Sequence, residues 1–162
     1  MFVPQDPGET DFKVEVFHRK KKLNIYVIRR PFLEEFLSAM AERYEIGIFT
    51  ASLREYAEKV IQEIDPHKYI QWVLYRDSCS LFQGCTVKNL QSLPRALDRT
   101  VLVDDRASSF MLQSRNGILC TPFLGNREDT ELQKLCEFLT ELSQIKGDLR
   151  EYTHNWIDSR ET

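Results

Sequence analysis

Nowhere in the 162-residue chain does an apolar run approach the ~20 residues of a membrane-spanning helix. The opening, Met1-Phe-Val-Pro-Gln-Asp6, lacks the cationic start and apolar stretch of a secretion signal, so this piece is expected to be soluble. Positive charge is not in excess. The 22 Lys and Arg residues stand against 25 Asp and Glu, net −3, which excludes nonspecific nucleic-acid binding through a basic surface and leaves no direct nucleic-acid partner expected. A short basic run, Arg19 to Lys22, reads as a solvated hairpin tip. The four cysteines, at 79, 85, 120 and 136, form no CxxC pair and have no metal-ligand spacing with the three histidines. Reduced thiols are therefore expected, in an intracellular protein of nucleus or cytoplasm. Internal repeats and low-complexity tracts are absent as well.

What is present suffices for one globular domain, with 42% hydrophobic residues to bury. Residues 1–11, rich in Pro, Gly, Asp and Glu, read as an irregular, mobile lead-in. Phe12, Val14 and Val16 alternate with polar residues, as do Leu23, Ile25 and Val27 beyond the basic run, which predicts a β-hairpin. After Arg30-Pro31, the residues Phe32, Leu33, Phe36, Leu37 and Met40 recur at helical spacing. Ile46–Phe49 predicts a strand, followed by a polar turn and a helix through Tyr56, Val60, Ile61 and Ile64. Ile70 to Tyr75 predicts another strand and Ser92 to Leu97 a helical turn. Thr100 to Asp104 is the clearest buried strand, and Gly117 to Cys120 a short further one. Leu132, Leu135, Phe138, Leu139 and Leu142 share a helical face. Strands alternating with helices imply an α/β fold, a parallel sheet covered on both faces. Residues 146–162 are set apart as a C-terminal tail.

In an open α/β sheet, ligands gather at the carboxyl ends of the strands. The first such end is Phe49-Thr50-Ala51-Ser52, whose hydroxyls and backbone N–H groups can hold a phosphate at a helix N-terminus or simply cap the helix. The second is Val103-Asp104-Asp105, where two adjacent carboxylates suit a hard cation such as Mg²⁺, or are ordinary loop carboxylates. Lys88, in Gly84-Cys-Thr-Val-Lys88-Asn-Leu90, and Arg76, after Val73-Leu-Tyr75, can screen a phosphate or be solvated. Phe82, Trp72 and Phe123 can line a peptide groove or belong to the core.

Taken together these segments are far more specific. Phe49-Thr-Ala-Ser52, Tyr75-Arg-Asp-Ser-Cys79, Gly84 to Leu90 and Val101-Leu-Val-Asp-Asp105 occur in an order and spacing similar to those of the phosphatases that act on the RNA polymerase II carboxy-terminal domain. Tyr26-Val-Ile-Arg-Arg-Pro31, Asn116-Gly-Ile118 and Asp129-Thr-Glu-Leu132 match too. Over roughly residues 11–145 the chain resembles the small members of that family, including the nuclear-envelope and LIM-interactor-interacting types, within the haloacid dehalogenase superfamily. The resemblance implies a three-layer α/β fold over residues 12–145, with the hairpin at about 12–28 as a flap over the active site. It implies a Mg²⁺-dependent protein serine/threonine phosphatase acting on a phosphoprotein or phosphopeptide. Thr50 and Ala51 would bind the transferring phosphoryl group, Lys88 would steady it, Arg76 would lie near the substrate phosphate, and Asp104 with Asp105 would face the metal.

Family members open with a strand ending in Asp-x-Asp-x-Thr, whose first Asp is the nucleophile and whose second is the acid and base. No Asp-x-Asp occurs here. The resemblance therefore implies that the central first strand is missing, that Mg²⁺ binding is weakened or lost, and that the chain as it stands is inactive, since the aspartyl-phosphate cannot form. A phosphopeptide-binding pseudophosphatase is the alternative reading. The missing strand would lie between those ending at Phe49 and Val103. Those two are expected either to close up or to admit another segment, or else to leave an open sheet of low stability that self-associates through exposed edges.

Overall fold

A computed structural model of the chain describes residues 2–3, 8–18 and 21–158. In chain order the strands and helices are β1 (Phe2–Val3), β2 (Phe12–His18), β3 (Lys21–Val27), α1 (Leu33–Ala41), β4 (Ile46–Phe49), α2 (Arg54–Ile64), β5 (Ile70–Leu74), β6 (Ser80–Phe82), β7 (Cys85–Val87), β8 (Leu102–Asp104), β9 (Gly117–Leu119), α3 (Glu131–Ser143) and α4 (Asn155–Asp158). Short 3-10 turns fill several of the connections, the longest being Ala107–Asn116. No helix among the described residues is long and apolar enough to cross a membrane.

The alternation in residues 12–27 forms the expected hairpin. β2 and β3 pair in register from Phe12↔Val27 to His18↔Lys21, and Val14, Val16, Ile25 and Val27 are buried on one face. That face packs on Tyr56 and Val60 of α2, with the Phe17 N–H donating to Glu55 Oε1 at 3.0 Å. Part of the lead-in is ordered after all. β1 adds to the open edge of β3, Phe2 opposite Val27 and Val3 opposite Tyr26. Residues 4–7, also expected to be irregular, lie outside the described residues.

The parallel strands come in two separate pairs. β4 pairs with β5, and β8 with β9. β4 and β8 do not pair with each other, and no described strand is hydrogen-bonded to both, so the described strands form no continuous parallel sheet. Ile46, Ile48, Val101 and Val103 remain only half-buried, although strands at the centre of a parallel sheet are normally covered on both faces. In the first pair, Gly47 faces Trp72. A Cβ on Gly47 would stand 2.2 Å from the indole, so glycine is what lets the ring lie across the neighbouring strand.

One core joins the two halves. Leu37 and Met40 of α1 and Leu132, Leu135, Leu139 and Leu142 of α3 are buried, and Ile118 packs into the same cluster as Met40 and the α3 leucines. α1 starts at Leu33, because Phe32 adopts a left-handed conformation, φ 63°, before the first turn. Residues 146–158 are not a detached tail. Leu149 and Trp156 are in the core, the Trp156 indole N–H donates to the Leu119 carbonyl at 2.7 Å, and Thr153 Oγ1 donates to the Arg115 carbonyl at 2.8 Å. β6 and β7 form a small antiparallel ribbon that the sequence reading missed. Its two-residue turn has Gln83 at φ 48° and Gly84 at φ 77°, the conformation that matches strand twist in a tight hairpin.

Candidate active site

The ends of β4 and β8 open onto one cleft of ≈ 560 Å³, whose lining includes Thr50, Ala51, Lys88, Asp104 and Asp105. Five of the six residues singled out from sequence thus meet in one place. Arg76 is the exception. It is exposed, does not line the cleft, and instead clamps the turn after β4, its Nε donating to the Ala51 carbonyl at 2.6 Å and its backbone N–H to the Ser52 carbonyl at 3.1 Å.

The turn is built locally. The Thr50 N–H donates to the Leu74 carbonyl at 2.8 Å, prolonging the β4–β5 ladder by one residue, and the Thr50 hydroxyl oxygen accepts from the Ser52 N–H at 3.0 Å. Helix α2 has Leu53 as its N-cap and no side-chain cap. Neither Thr50 nor Ser52 is therefore spent on capping, and the Thr50 hydroxyl hydrogen is left to find an acceptor in the cleft.

Asp104 is buried at the end of β8 and Asp105, beside it, is exposed. One Asp104 oxygen pairs with the Lys88 ammonium, and the other accepts from the Arg106 N–H at 2.9 Å. The Lys88 backbone N–H bonds the Ser109 carbonyl at 2.7 Å, which fixes the base of that side chain. This pair neutralises itself and Arg30 is paired with Asp129, so the other charged side chains lining the cleft are Arg106 and Asp105.

Arg30 escaped the sequence reading as a site residue. Its Nε and Nη2 hold the two oxygens of Asp129 at 2.7 and 2.8 Å, Nη1 donates to the Thr121 carbonyl at 2.7 Å, and its Cζ lies 5.5 Å from the Phe123 ring centre. It thereby ties the start of α1 and the start of α3 to the cleft wall that contains Cys120 and Phe123. Burial pushes the Cys120 thiol up to about 11, with Arg30 acting the other way. Of the aromatic residues considered for a peptide groove, Phe123 lines the cleft, whereas Trp72 lies over Gly47 and Phe82 sits at the ribbon tip. No described residue of the 12–28 hairpin lines the cleft. The hairpin expected to cover it is docked on α2, because its apolar face finds Tyr56 and Val60 there.

Toward a hard cation the cleft offers the carboxylates of Asp104 and Asp105, a thin set. No three His, Cys, Asp or Glu side chains gather among the described residues, and both Asp104 oxygens already have partners, whereas Mg²⁺ requires about six oxygens in octahedral array. All four cysteines are free.

Comparison with known proteins adds a family. The model of the NLI interacting factor-like phosphatases matches residues 2–150. CTD small phosphatase-like protein 3 of Caenorhabditis elegans is 42% identical over 128 residues, 78% of this chain and 45% of the relative. Carboxy-terminal domain RNA polymerase II polypeptide A small phosphatase 2 of Mus musculus is 36% identical over 136 residues, 84% of this chain and 50% of the relative. The chain thus spans about half the length of these curated relatives. Among solved structures, the fission yeast RNA polymerase II CTD phosphatase Fcp1 bound to beryllium fluoride superposes with a TM-score of 0.71 at 22% identity, covering 96% of this chain and 59% of that one. The fold is accordingly α/β of the haloacid dehalogenase type.

Proposed function

The chain belongs to the NLI interacting factor-like phosphatase family, and from that premise we propose that it is the phosphate-handling part of a protein serine/threonine phosphatase domain acting on a phosphoprotein or phosphopeptide. The observation that carries this reading is the meeting of Thr50, Lys88 and Asp104 in one cleft, although they arrive from two strand pairs that are not bonded to each other. In this reading the Thr50 hydroxyl and the Ala51 backbone N–H donate to phosphoryl oxygens, and Lys88 offsets their charge. Such pre-aimed donors are worth about 10²–10³ in rate each when charge builds up in a dry site. Arg76 acts by holding the Ala51 carbonyl, and so sets the aim of the turn.

Asp104 is not free to attack phosphorus, because it is held by Lys88 and the Arg106 N–H. We propose that a parallel strand ending in Asp-x-Asp occupies a position between β4 and β8 in the working protein. The half-buried Ile46, Ile48 and Val103 support this, since an apolar strand between them would cover what water now reaches. Toward Mg²⁺ the chain offers Asp104 and Asp105, and the ion is expected to bind weakly until further carboxylates arrive. Without that strand the bare edges of β4 and β8 are the places where copies would associate.

The test is hydrolysis of p-nitrophenyl phosphate and of a phosphoserine peptide, each with Mg²⁺. The chain alone should give no turnover above its Lys88→Ala variant. The chain extended at its N-terminus by a strand ending in Asp-x-Asp should hydrolyse both, and lose at least about 100-fold on Lys88→Ala. Turnover by the unextended chain that disappears on Lys88→Ala would overturn the claim that it is inactive. An extended, folded and inactive protein would leave a phosphopeptide-binding scaffold.

A further inference from the structure

Lys88, Asp104, Arg106 and Ser109 close a ring of hydrogen bonds. The Lys88 ammonium pairs with one Asp104 oxygen, and the other accepts from the Arg106 N–H at 2.9 Å. The Arg106 carbonyl accepts from the Ser109 N–H at 2.9 Å, and the Ser109 carbonyl from the Lys88 N–H at 2.7 Å. All four residues line the cleft. Arg106 thus commits both its backbone donor and its backbone acceptor to the ring, in an extended conformation, which fixes where its side chain begins. The side chain itself is not committed. Of the three cationic side chains lining the cleft, Lys88 is held by Asp104 and Arg30 by both oxygens of Asp129. The Arg106 guanidinium has no carboxylate partner among the described residues, not even the adjacent Asp105. Exposed arginines are usually just solvated. This one is anchored by its own main chain to the buried pair of the cleft.

Resting on the phosphate-handling reading of this cleft, we infer that Arg106 is a phosphoryl-binding residue, its guanidinium taking oxygens of the same group that the Thr50 hydroxyl and the Ala51 N–H hold. The charges of the cleft call for it. Lys88 and Arg30 are each cancelled by a carboxylate, so without Arg106 the side chains around the cleft leave Asp105 unmatched and would repel an anion. A phosphomonoester brings about −1.5 to −2 of charge at pH 7, and Arg106 is the cation available to meet it without breaking a pair already made. Its chemistry fits as well. The guanidinium is a planar fork whose parallel N–H groups match two phosphoryl oxygens, whereas the Lys88 ammonium is a point charge. Arg106 and the Lys88–Asp104 pair then divide the work: the pair holds the ring rigid, and the free guanidinium meets the ligand.

The experiment is an NMR titration of the ¹⁵N-labelled chain with inorganic phosphate, at constant ionic strength and with EDTA present so that the shifts report side chains alone. Phosphate should move the Thr50 and Ala51 amides together with the Arg106 Nε–H, which is assigned by its absence from Arg106→Lys. Affinity should fall about tenfold or more in Arg106→Ala and about threefold in Arg106→Lys, which keeps the charge but not the fork. Both variants keep the ring, which uses only the backbone of residue 106, and thermal melting checks that they fold. Lys134→Ala removes an exposed cation of α3 that does not line the cleft, and should leave the affinity unchanged. Phosphate binding in Arg106→Ala within threefold of the parent chain overturns the inference while the phosphate cleft stands. So does a loss no larger than that in Lys134→Ala, which would be an effect of net charge, and so do Thr50 and Ala51 shifts with an Arg106 Nε–H that does not move. If phosphate moves neither Thr50 nor Ala51 in the parent chain, the phosphatase reading fails and this inference falls with it.

Discussion

Replacing Arg30 by alanine is expected to destabilise the fold by about 3–5 kcal/mol, the range for leaving one member of a buried ion pair behind. The pair is half-buried, the Arg30 and Asp129 side chains being 13% and 14% exposed, so that range is an upper bound. Truncation removes both bonds to the carboxylate and the one to the Thr121 carbonyl, and leaves Asp129 accepting from the Glu131 N–H at 3.1 Å. At roughly 2–4 °C per kcal/mol for a domain of this size, the melting temperature should fall by at most about 6–20 °C. Urea denaturation followed by circular dichroism, on Arg30→Ala, Asp129→Ala and the double variant, measures this. The double variant should cost less than the sum of the singles by at least about 1 kcal/mol, because each single change strands the other member of the pair and the double strands neither. The acid limb gives a second readout. Hydrogen bonding from Arg30, partly opposed by desolvation, holds the Asp129 carboxyl below its ordinary 3.8. Its contribution is therefore complete above the unfolded value, is lost as pH falls below 3.8 through the lower folded value, and should be missing from the Arg30→Ala curve. A cost under about 1 kcal/mol for Arg30→Ala, or singles that simply add, would show that the pair does not bind the cleft wall to α1 and α3.

Gly47→Val should destabilise by about 1–3 kcal/mol, since its Cβ would meet the Trp72 indole at 2.2 Å, and the tryptophan fluorescence maximum should shift to the red as the ring is displaced. In a variant retaining Cys120 as the sole cysteine, the thiol raised to about 11 should react with a disulfide reagent at pH 8 at least about tenfold more slowly than free cysteine. Gly84→Val should cost about 1 kcal/mol or more, because the turn needs φ 77° there, and loss of stability with guanidinium would report it.

The strand-end residues were legible because an apolar run followed at once by Thr50 or by Asp104 and Asp105 is a local pattern, and strand ends converge in this class of sheet. The hairpin was legible for the same reason, from alternation alone. Its docking was not, since nothing in residues 12–28 says whether their apolar face will meet Tyr56 and Val60 or the cleft. The Arg30–Asp129 bond joins residues 99 apart and has no local signature. Gly84 was visible, yet the residue before it is Gln83 rather than the Asn or Asp that usually announces a tight hairpin turn. Around Trp156 the residues Glu151, Tyr152, Thr153, His154 and Asn155 carry no apolar period, so the contribution of this segment to the core could not be read. Arg76 was placed at the phosphate by analogy, whereas geometry turns its Nε to a backbone carbonyl.

If β4 and β8 flank the proposed strand position, that position has a consequence measurable in the chain alone. Each strand is bonded along one edge, β4 to β5 and β8 to β9, and a parallel strand directs about half of its N–H and C=O groups to each side. The groups on the two inner edges therefore have no strand partner among the described residues. If they were dry, each would cost about 1–3 kcal/mol, enough in sum to rival the ~5–15 kcal/mol by which a domain is stable. The half-buried state of Ile46, Ile48 and Val103 offers the way out, because water that reaches these side chains can also reach the edges. Amide hydrogens on the inner edges should then exchange by local solvent access, at least about 100-fold faster than those of Leu135 and Leu139 in α3, whose exchange requires opening of the core. A peptide strand that binds in that position would slow the inner-edge amides first, before it changes exchange in α3. If the amides of 46–49 and 102–104 are all protected as strongly as α3, the edges are paired in solution and the inference of a vacant strand position is wrong.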